Sequence, residues 1–221
     1  MPTEQLRSNP GVSPRPRGEE RRLSILRIAV ELFSAGGYNT VSLADIARHV
    51  GISQAGILHY YPTKAALLLA VLQQRDDENG LLLAAQEKAG IAGLEAYIGM
   101  LAENDLRPEL VRLFVVLRAE STAVEHPAHS WFMQRNGKTM PIVTQDVRDI
   151  VDESKLPPGV TAEVISRWLL ALAHGLGAQW VTDPSSFDRA GHVRLFIDLL
   201  GPYLKEPASQ SSTTTHTTPR R

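Results

Sequence analysis

Between Thr40 and Lys64 the chain reads TVSLADIARHVGISQAGILHYYPTK, and no other stretch restricts the fold so tightly. Helix starts and stops follow one another within it. Ser42 stands three positions before Asp45, at the head of the apolar run LADIA. That is a capping box with Asp in the slot where Glu or Gln is usual. Leu43, Ile46, Ala47 and Val50 then share one helical face. Gly51 follows where a helix ends on a left-handed residue, and Ser53 is placed to cap a second helix. That helix, Gln54 to about Tyr60, is expected to bury Ile57 and Tyr60 and to turn Gln54, Ala55 and His59 outward. Pro62 stops it, and Thr63 caps a further helix starting at Lys64. Ala47 is small where the first two helices would cross, so their backbones can approach.

Two short helices packed at a steep angle hold the second one out as a probe, and the surface such a probe usually reads is the major groove of DNA. A helical hairpin buried in a core would need neither three caps nor a probe helix so small and polar on one side. A supporting helix precedes the pair, from about Gly18 to Ala35, with Ile25, Ile28, Ala29, Leu32 and Phe33 at i, i+3, i+4, i+7, i+8 spacing. Gly36 and Gly37 end it, and Tyr38 is expected to pack back. Residues 1–17 are rich in Pro, Arg, Ser and Gly and are expected to be a disordered arm. Arg15, Arg17, Arg21 and Arg22 lead from it into the helix, and such an arm can follow a DNA backbone or enter a minor groove. Residues 1–64 hold eight Lys or Arg against five acids, an excess of three positive charges. The whole chain carries −1, so the remainder carries −4. The positive charge therefore lies where phosphate has to be neutralised.

Beyond Lys64 the chain is helical in pattern, with no strand and no internal repeat. A long helix is expected over 64–87, with Gly80 as a place for a kink. Helices follow over 94–104 and 108–124. Another, opened by Pro127, is expected to break or bend near Gly137–Pro141. The last two run over 161–181 and 188–204, and residues 206–221 read as a disordered tail. The fold class is all-α: a three-helix, helix-turn-helix DNA-binding domain over 18–63, then a helical domain over 64–205. The last two helices are apolar on more than one face. Ile165, Trp168, Leu169, Leu172 and Leu176 form one stripe of the first, and the small residues Ala171, Gly175 and Ala178 form another. Glycine inside a helix costs about 1 kcal/mol relative to alanine, so Gly175 and Gly177 point to close helix–helix approach. The last helix repeats the pattern with Val193, Phe196, Ile197, Leu199, Leu200, Tyr203 and Leu204. Two such helices meeting their copies on a two-fold axis make a four-helix bundle. The expected dimer interface is Trp168, Ala171, Gly175, Ala178, Phe196 and Leu200. A two-fold dimer presents two probe helices to successive major-groove faces, so its DNA target is expected to be palindromic.

Composition narrows the alternatives. Of 221 residues 43% are hydrophobic, enough for a substantial core. The absence of cysteine excludes disulfides, thiolate metal sites and a thiol nucleophile, and it suits a cytoplasmic protein. No segment is long and apolar enough to span a bilayer, and the N-terminal residues carry Arg without an apolar signal core, which argues against secretion. Glu125, His126 and His129 suggest metal ligation, but His at i and i+3 beside Pro127 is far more often a helix start, so no metal site is expected. No Gly-rich phosphate loop, nucleophile elbow or clustered Ser/His/Asp pattern is present. The chain is expected to be neither an enzyme nor a cofactor carrier.

The segments ILRIAVELFSAGGY (25–38), SLADIARHVGIS (42–53) and HYYPTKAAL (59–67) match, in order and spacing, the N-terminal pattern of tetracycline-repressor (TetR) family transcriptional regulators. The resemblance covers about residues 18–68. HGLGAQW (174–180) is similar to a segment of the penultimate helix in many members. The resemblance implies that the Ser53–Tyr60 helix reads bases and phosphates, with Gln54 contacting a base edge, since an amide can pair bidentately with adenine. Ala55 and Gly56 would allow close approach, His59 and Tyr60 would lie at phosphate, and Thr40 and Ser42 would lie beside the DNA backbone. Lys64 would bind phosphate at its helix start. Leu58 departs from the Tyr carried by many members, which removes a phosphate contact. The resemblance also implies a homodimer that a small-molecule effector releases from a palindromic operator on double-stranded DNA, with the 64–87 helix as lever. Candidate ligand contacts are Tyr97, Met100, Phe114, Trp131, Phe132 and Trp168, with His174 and Gln179 as polar candidates. A repressor is the leading reading. An activator of the same fold, or a helical ligand-binding or scaffold protein with a non-functional DNA unit, remain the alternatives.

Overall fold

The computed structural model describes residues 17–88 and 93–205. Among them are nine α-helices and no strand, as expected of an all-α chain. The expected arm and tail lie outside the described residues, apart from Arg17, which opens the first helix with Arg21 and Arg22 behind it. By packing, the chain divides into two units. The first takes the described residues up to Glu78 together with Glu109–Phe132. The second takes Asn79–Pro108 together with the described residues from Met133 onward.

The first unit is built on α1 (Arg17–Thr40), α2 (Leu43–Val50), α3 (Gln54–Tyr60), the front of α4 (Lys64–Lys88) and α6 (Pro108–Glu120). Ile25, Leu26, Ala29 and Phe33 line the inner face of α1 and pack with Ile46, Ile57, Leu67, Leu68, Leu72, Leu113 and Leu117 in one core. The inclusion of α6 in this core is not visible in the sequence, because periodicity reports which face of a helix is apolar but not which neighbour covers it. As expected, α1 breaks at its glycine pair: Gly37 has φ 76° and ψ 174°, a backbone that residues with a Cβ avoid.

The second unit holds the rest of α4, α5 (Gly93–Asp105), most of α7 (His129–Ile150), α8 (Ala162–Trp180) and α9 (Arg189–Asp198). Leu94, Ile98, Leu101, Val143, Val147, Ile165, Leu169 and Val193 form its core. Arg189, at the head of α9, donates to Asp105 Oδ1 at 2.8 Å and to the Leu101 carbonyl at 3.2 Å, tying α9 to the end of α5. Burial holds the Asp105 carboxyl above its ordinary range, and Arg189 only partly offsets that shift.

Four expectations are corrected. Gly80 does not interrupt α4. α6 stops at Glu120 and α7 starts at His129, with turns between them. α7 continues through Gly137–Pro141. Pro141 has no N–H to offer the Gly137 carbonyl, but both residues are exposed and that carbonyl can turn to water. α9 ends at Asp198 rather than near Leu204, because Pro202 cannot continue the helical ladder. The chain turns through Gly201–Tyr203, and the Asp152 N–H donates to the Tyr203 carbonyl at 2.8 Å.

The segment after α6 buries His126 against the joint of α1 and α2. Its Nδ1 accepts the Ala128 N–H at 3.2 Å, so the neutral ring carries its proton on Nε2. Nε2 faces Glu120 Oε2 at 3.6 Å, and the ring stands edge-on to Tyr38 at 5.1 Å. Burial holds the imidazole below its ordinary range; Glu120 opposes that shift and Lys64 adds to it. An unfolded histidine takes up its proton as pH falls through about 6.5, while the folded one resists until lower pH. The unfolded state then binds more protons, and stability falls as pH drops from about 7 toward 5. The denaturant midpoint should therefore fall over that window, and fall less in His126→Gln; parallel curves would show that another group is responsible.

Candidate nucleic-acid interface

The two probe helices are set by local chemistry. Ser42 caps α2: the Asp45 N–H donates to Ser42 Oγ at 3.1 Å, and the Ser42 N–H donates to Asp45 Oδ2 at 3.2 Å, completing the box. The Ser42 hydroxyl, then Arg48, hold the Asp45 carboxyl below the usual carboxylate range. Gly51 ends α2 at φ 75° and ψ 37°. The Ile52 N–H then reaches back to the Ala47 carbonyl at 3.0 Å, which closes a Schellman turn. Ser53 caps α3, its Oγ accepting the Gly56 N–H at 3.0 Å. Thr63 caps α4 in the same way, accepting the Ala66 N–H at 3.0 Å.

Ile57 alone anchors the middle of α3, at 0% exposure. Ser53, Gln54, Ala55, Leu58 and His59 are exposed, and Gly56 and Tyr60 are partly so. The expectation of a buried Tyr60 is corrected. Tyr61, one position on, is the buried ring, while Tyr60 stays half-exposed and meets His59 edge-on at 5.5 Å. Thr40 and Ser42 are exposed beside α2, and the Thr40 hydroxyl donates to the Gly36 carbonyl.

Lys64 departs most from expectation. Its Nζ donates to the carbonyls of Tyr38 and Val41 at 2.9 and 3.0 Å and sits 4.2 Å above the Tyr38 ring. Two of its three N–H groups thus cap the joint between α1 and α2, which leaves one for a phosphate. The pairing is non-local and left no signal in the sequence.

The ligand candidates do not share one cluster. Phe114, Trp131 and Phe132 pack in the first unit, with Phe132 edge-on to both other rings at 5.2 and 4.9 Å. The Arg75 and Arg118 guanidiniums lie 4.8 and 5.9 Å from the Phe114 ring, a feature that apolar periodicity could not reveal. Tyr97 and Met100 belong to the core of the second unit. Trp168 is 49% exposed on α8 and is not enclosed. Among the interface candidates, Ala171, Gly175 and Ala178 are exposed on that helix and Phe196 is half-buried. Leu200 is corrected: it is 9% exposed and packs in the core of its own unit, and the exposed leucines of this end are Leu195 and Leu199.

Residues 25–71 match the family model for bacterial regulatory proteins of the tetR family. The transcriptional regulator UidR of Escherichia coli (strain K12) is 26% identical over 157 residues, covering 70% of this chain and 79% of UidR. Among solved structures, a transcriptional regulator from Saccharomonospora viridis in complex with choline has a TM-score of 0.66 at 22% identity, covering 86% of this chain and 100% of that one. NalD, the secondary repressor of the MexAB-OprM multidrug efflux pump in Pseudomonas aeruginosa, has a TM-score of 0.58 at 23% identity, covering 86% and 97%. At these identities the two structures speak for the fold alone, while the matched segment coincides with the capped helices described above. Residues 25–71 thus carry the DNA-binding domain that the tetR family model describes, and the match and the similarity to UidR support a DNA-binding transcriptional regulator.

Proposed function

We propose that the chain is a homodimeric, cytoplasmic repressor that binds a palindromic operator and is released from it by a small molecule. Residues 18–63 act as the DNA-reading domain and 64–205 as the ligand-binding and dimerisation domain. The observation that carries this reading is the outer face of α3, where Gln54, Ala55 and His59 stand in solvent while Ile57 alone holds the helix down. Gln54 reads a base edge, and Ala55 and Gly56 admit close approach. Leu58, where a phosphate-binding Tyr is missing, offers an apolar contact of the kind a thymine methyl takes. His59, Tyr60, Ser53, Thr40 and Ser42 lie along phosphate. No single described helix is long and apolar enough to cross a membrane.

The dimer reading is supported by the outer face of α8. Trp168, Ala171, Gly175 and Ala178 are exposed at helical spacing, and a Cβ at Gly175 would meet nothing within 4 Å. Leu199, just past α9, is 75% exposed. A repressor role is supported by NalD, and a small-molecule effector by the choline-bound regulator, both relatives in fold. Tyr97, Met100, Phe114, Trp131 and Phe132 are the proposed contacts.

A gel shift with duplexes selected from a random pool tests the DNA reading. Gln54→Ala should weaken binding by about 1–3 kcal/mol and relax preference at one base position; equal weakening on every sequence would refute base reading by Gln54. Gly175→Glu puts a charge into open space, so the subunit should fold, while light scattering should report monomers and operator affinity should fall. A dimer that persists would place the interface elsewhere.

A further inference from the structure

Tyr38 lies in the joint between α1 and α2, and side chains from outside the three N-terminal helices hold both polar groups of its main chain. Its N–H donates to Glu120 Oε2, at the end of α6, at 2.8 Å. Its carbonyl accepts from Lys64 Nζ, at the head of α4, at 2.9 Å. The carboxylate comes so close to the backbone that a Cβ on Gly37 would collide with Glu120 Oε1. Behind it, the buried His126 Nε2 has no hydrogen-bond partner of its own and faces the same Oε2 at 3.6 Å. The Glu120 side chain is only 23% exposed, so its bond to the amide is charge-assisted and partly shielded from water. All of these groups belong to the first unit.

We infer that Glu120 is a positioning residue for DNA binding: through the Tyr38 amide it sets the angle at which α2 and α3 leave α1, although it touches no DNA. The inference rests on the DNA-binding reading above. α2 and α3 are short and continue directly from this joint, so a small rotation at Tyr38 is carried to the exposed face of α3. Recognition tolerates only small displacements of the contacting side chains, on the order of 0.5 Å. A charge that only stabilised the fold would leave the affinity of the folded protein unchanged.

The full chain is tested with a duplex selected by the wild-type protein from a random pool. Glu120→Ala removes the acceptor, whereas Glu120→Gln keeps an oxygen for the Tyr38 N–H. The Ala variant should bind about tenfold more weakly, with the salt dependence of affinity unchanged because no phosphate contact is lost. The Gln variant should stay within about threefold of wild type. Exchange of the Tyr38 amide, read by NMR, should be about tenfold faster in the Ala variant and near wild type in the Gln variant. If Glu120→Ala does not fold, Glu120→Asp, one methylene short of the amide, carries the same expectations. Wild-type affinity in the Ala variant, unchanged Tyr38 exchange, or a reduced salt slope would each overturn the inference. A wild-type protein that retains no duplex at low salt would overturn the DNA-binding reading itself, and the positioning role with it. Retention by wild type and the Ala variant alike overturns only the role of Glu120.

Discussion

A seven-residue helix cannot stand alone in water, because the few hydrogen bonds it closes do not offset the entropy of forming the first turn. α3 is such a helix. It exists because Ile57 enters a core already assembled from Ile25, Phe33, Ile46 and Leu67 and because Ser53 satisfies one of its first amides. Burying one isoleucine is worth roughly 1.5–3 kcal/mol, enough to dock two helical turns whose ends are capped. One anchor leaves the rest of the surface open to solvent, and that surface is the part of the molecule able to meet a base pair. The longer α1, with a continuous apolar stripe, supplies the platform.

The charged groups inside each unit follow the same logic of placement. Lys64 and Glu120 act on opposite polar groups of one residue, Tyr38, where α1 has just broken at Gly37. In the other unit Arg189 binds both a carboxylate and a carbonyl on α5. Apolar packing permits helices to slide and rotate with modest change in energy. A charged group bonded to a specific main-chain atom does not, because moving it leaves a partly buried charge without its partner. Directional contacts of this kind in each unit hold elements at a fixed angle.

Much of the N-terminal half was legible in the residues alone. The contacts made by or beside Ser42, Gly51, Ser53 and Thr63 span three to five positions, so their consequences are written locally. Tyr60 was misread for a local reason: in so short a helix, phase cannot distinguish position i+3 from i+4 of Ile57, and only docking selects Tyr61. Pro141 was misread because an exposed helix can lose one hydrogen bond and continue, and exposure is not a local property. The structural bonds of Lys64 were not legible because its partners are Tyr38 and Val41, more than twenty residues away.

Sequence by itself determined the helices, their caps and the outward polar side of α3, since each depends on φ, ψ and side-chain reach within a turn or two. Tertiary structure alone decided that α6 joins the N-terminal helices and that Leu200 is interior while Leu199 is not. It also decided that Glu120 and Lys64 meet at Tyr38. Those outcomes depend on which surfaces come together once the helices exist, and the spacing of apolar residues says that a face will be covered without saying by what.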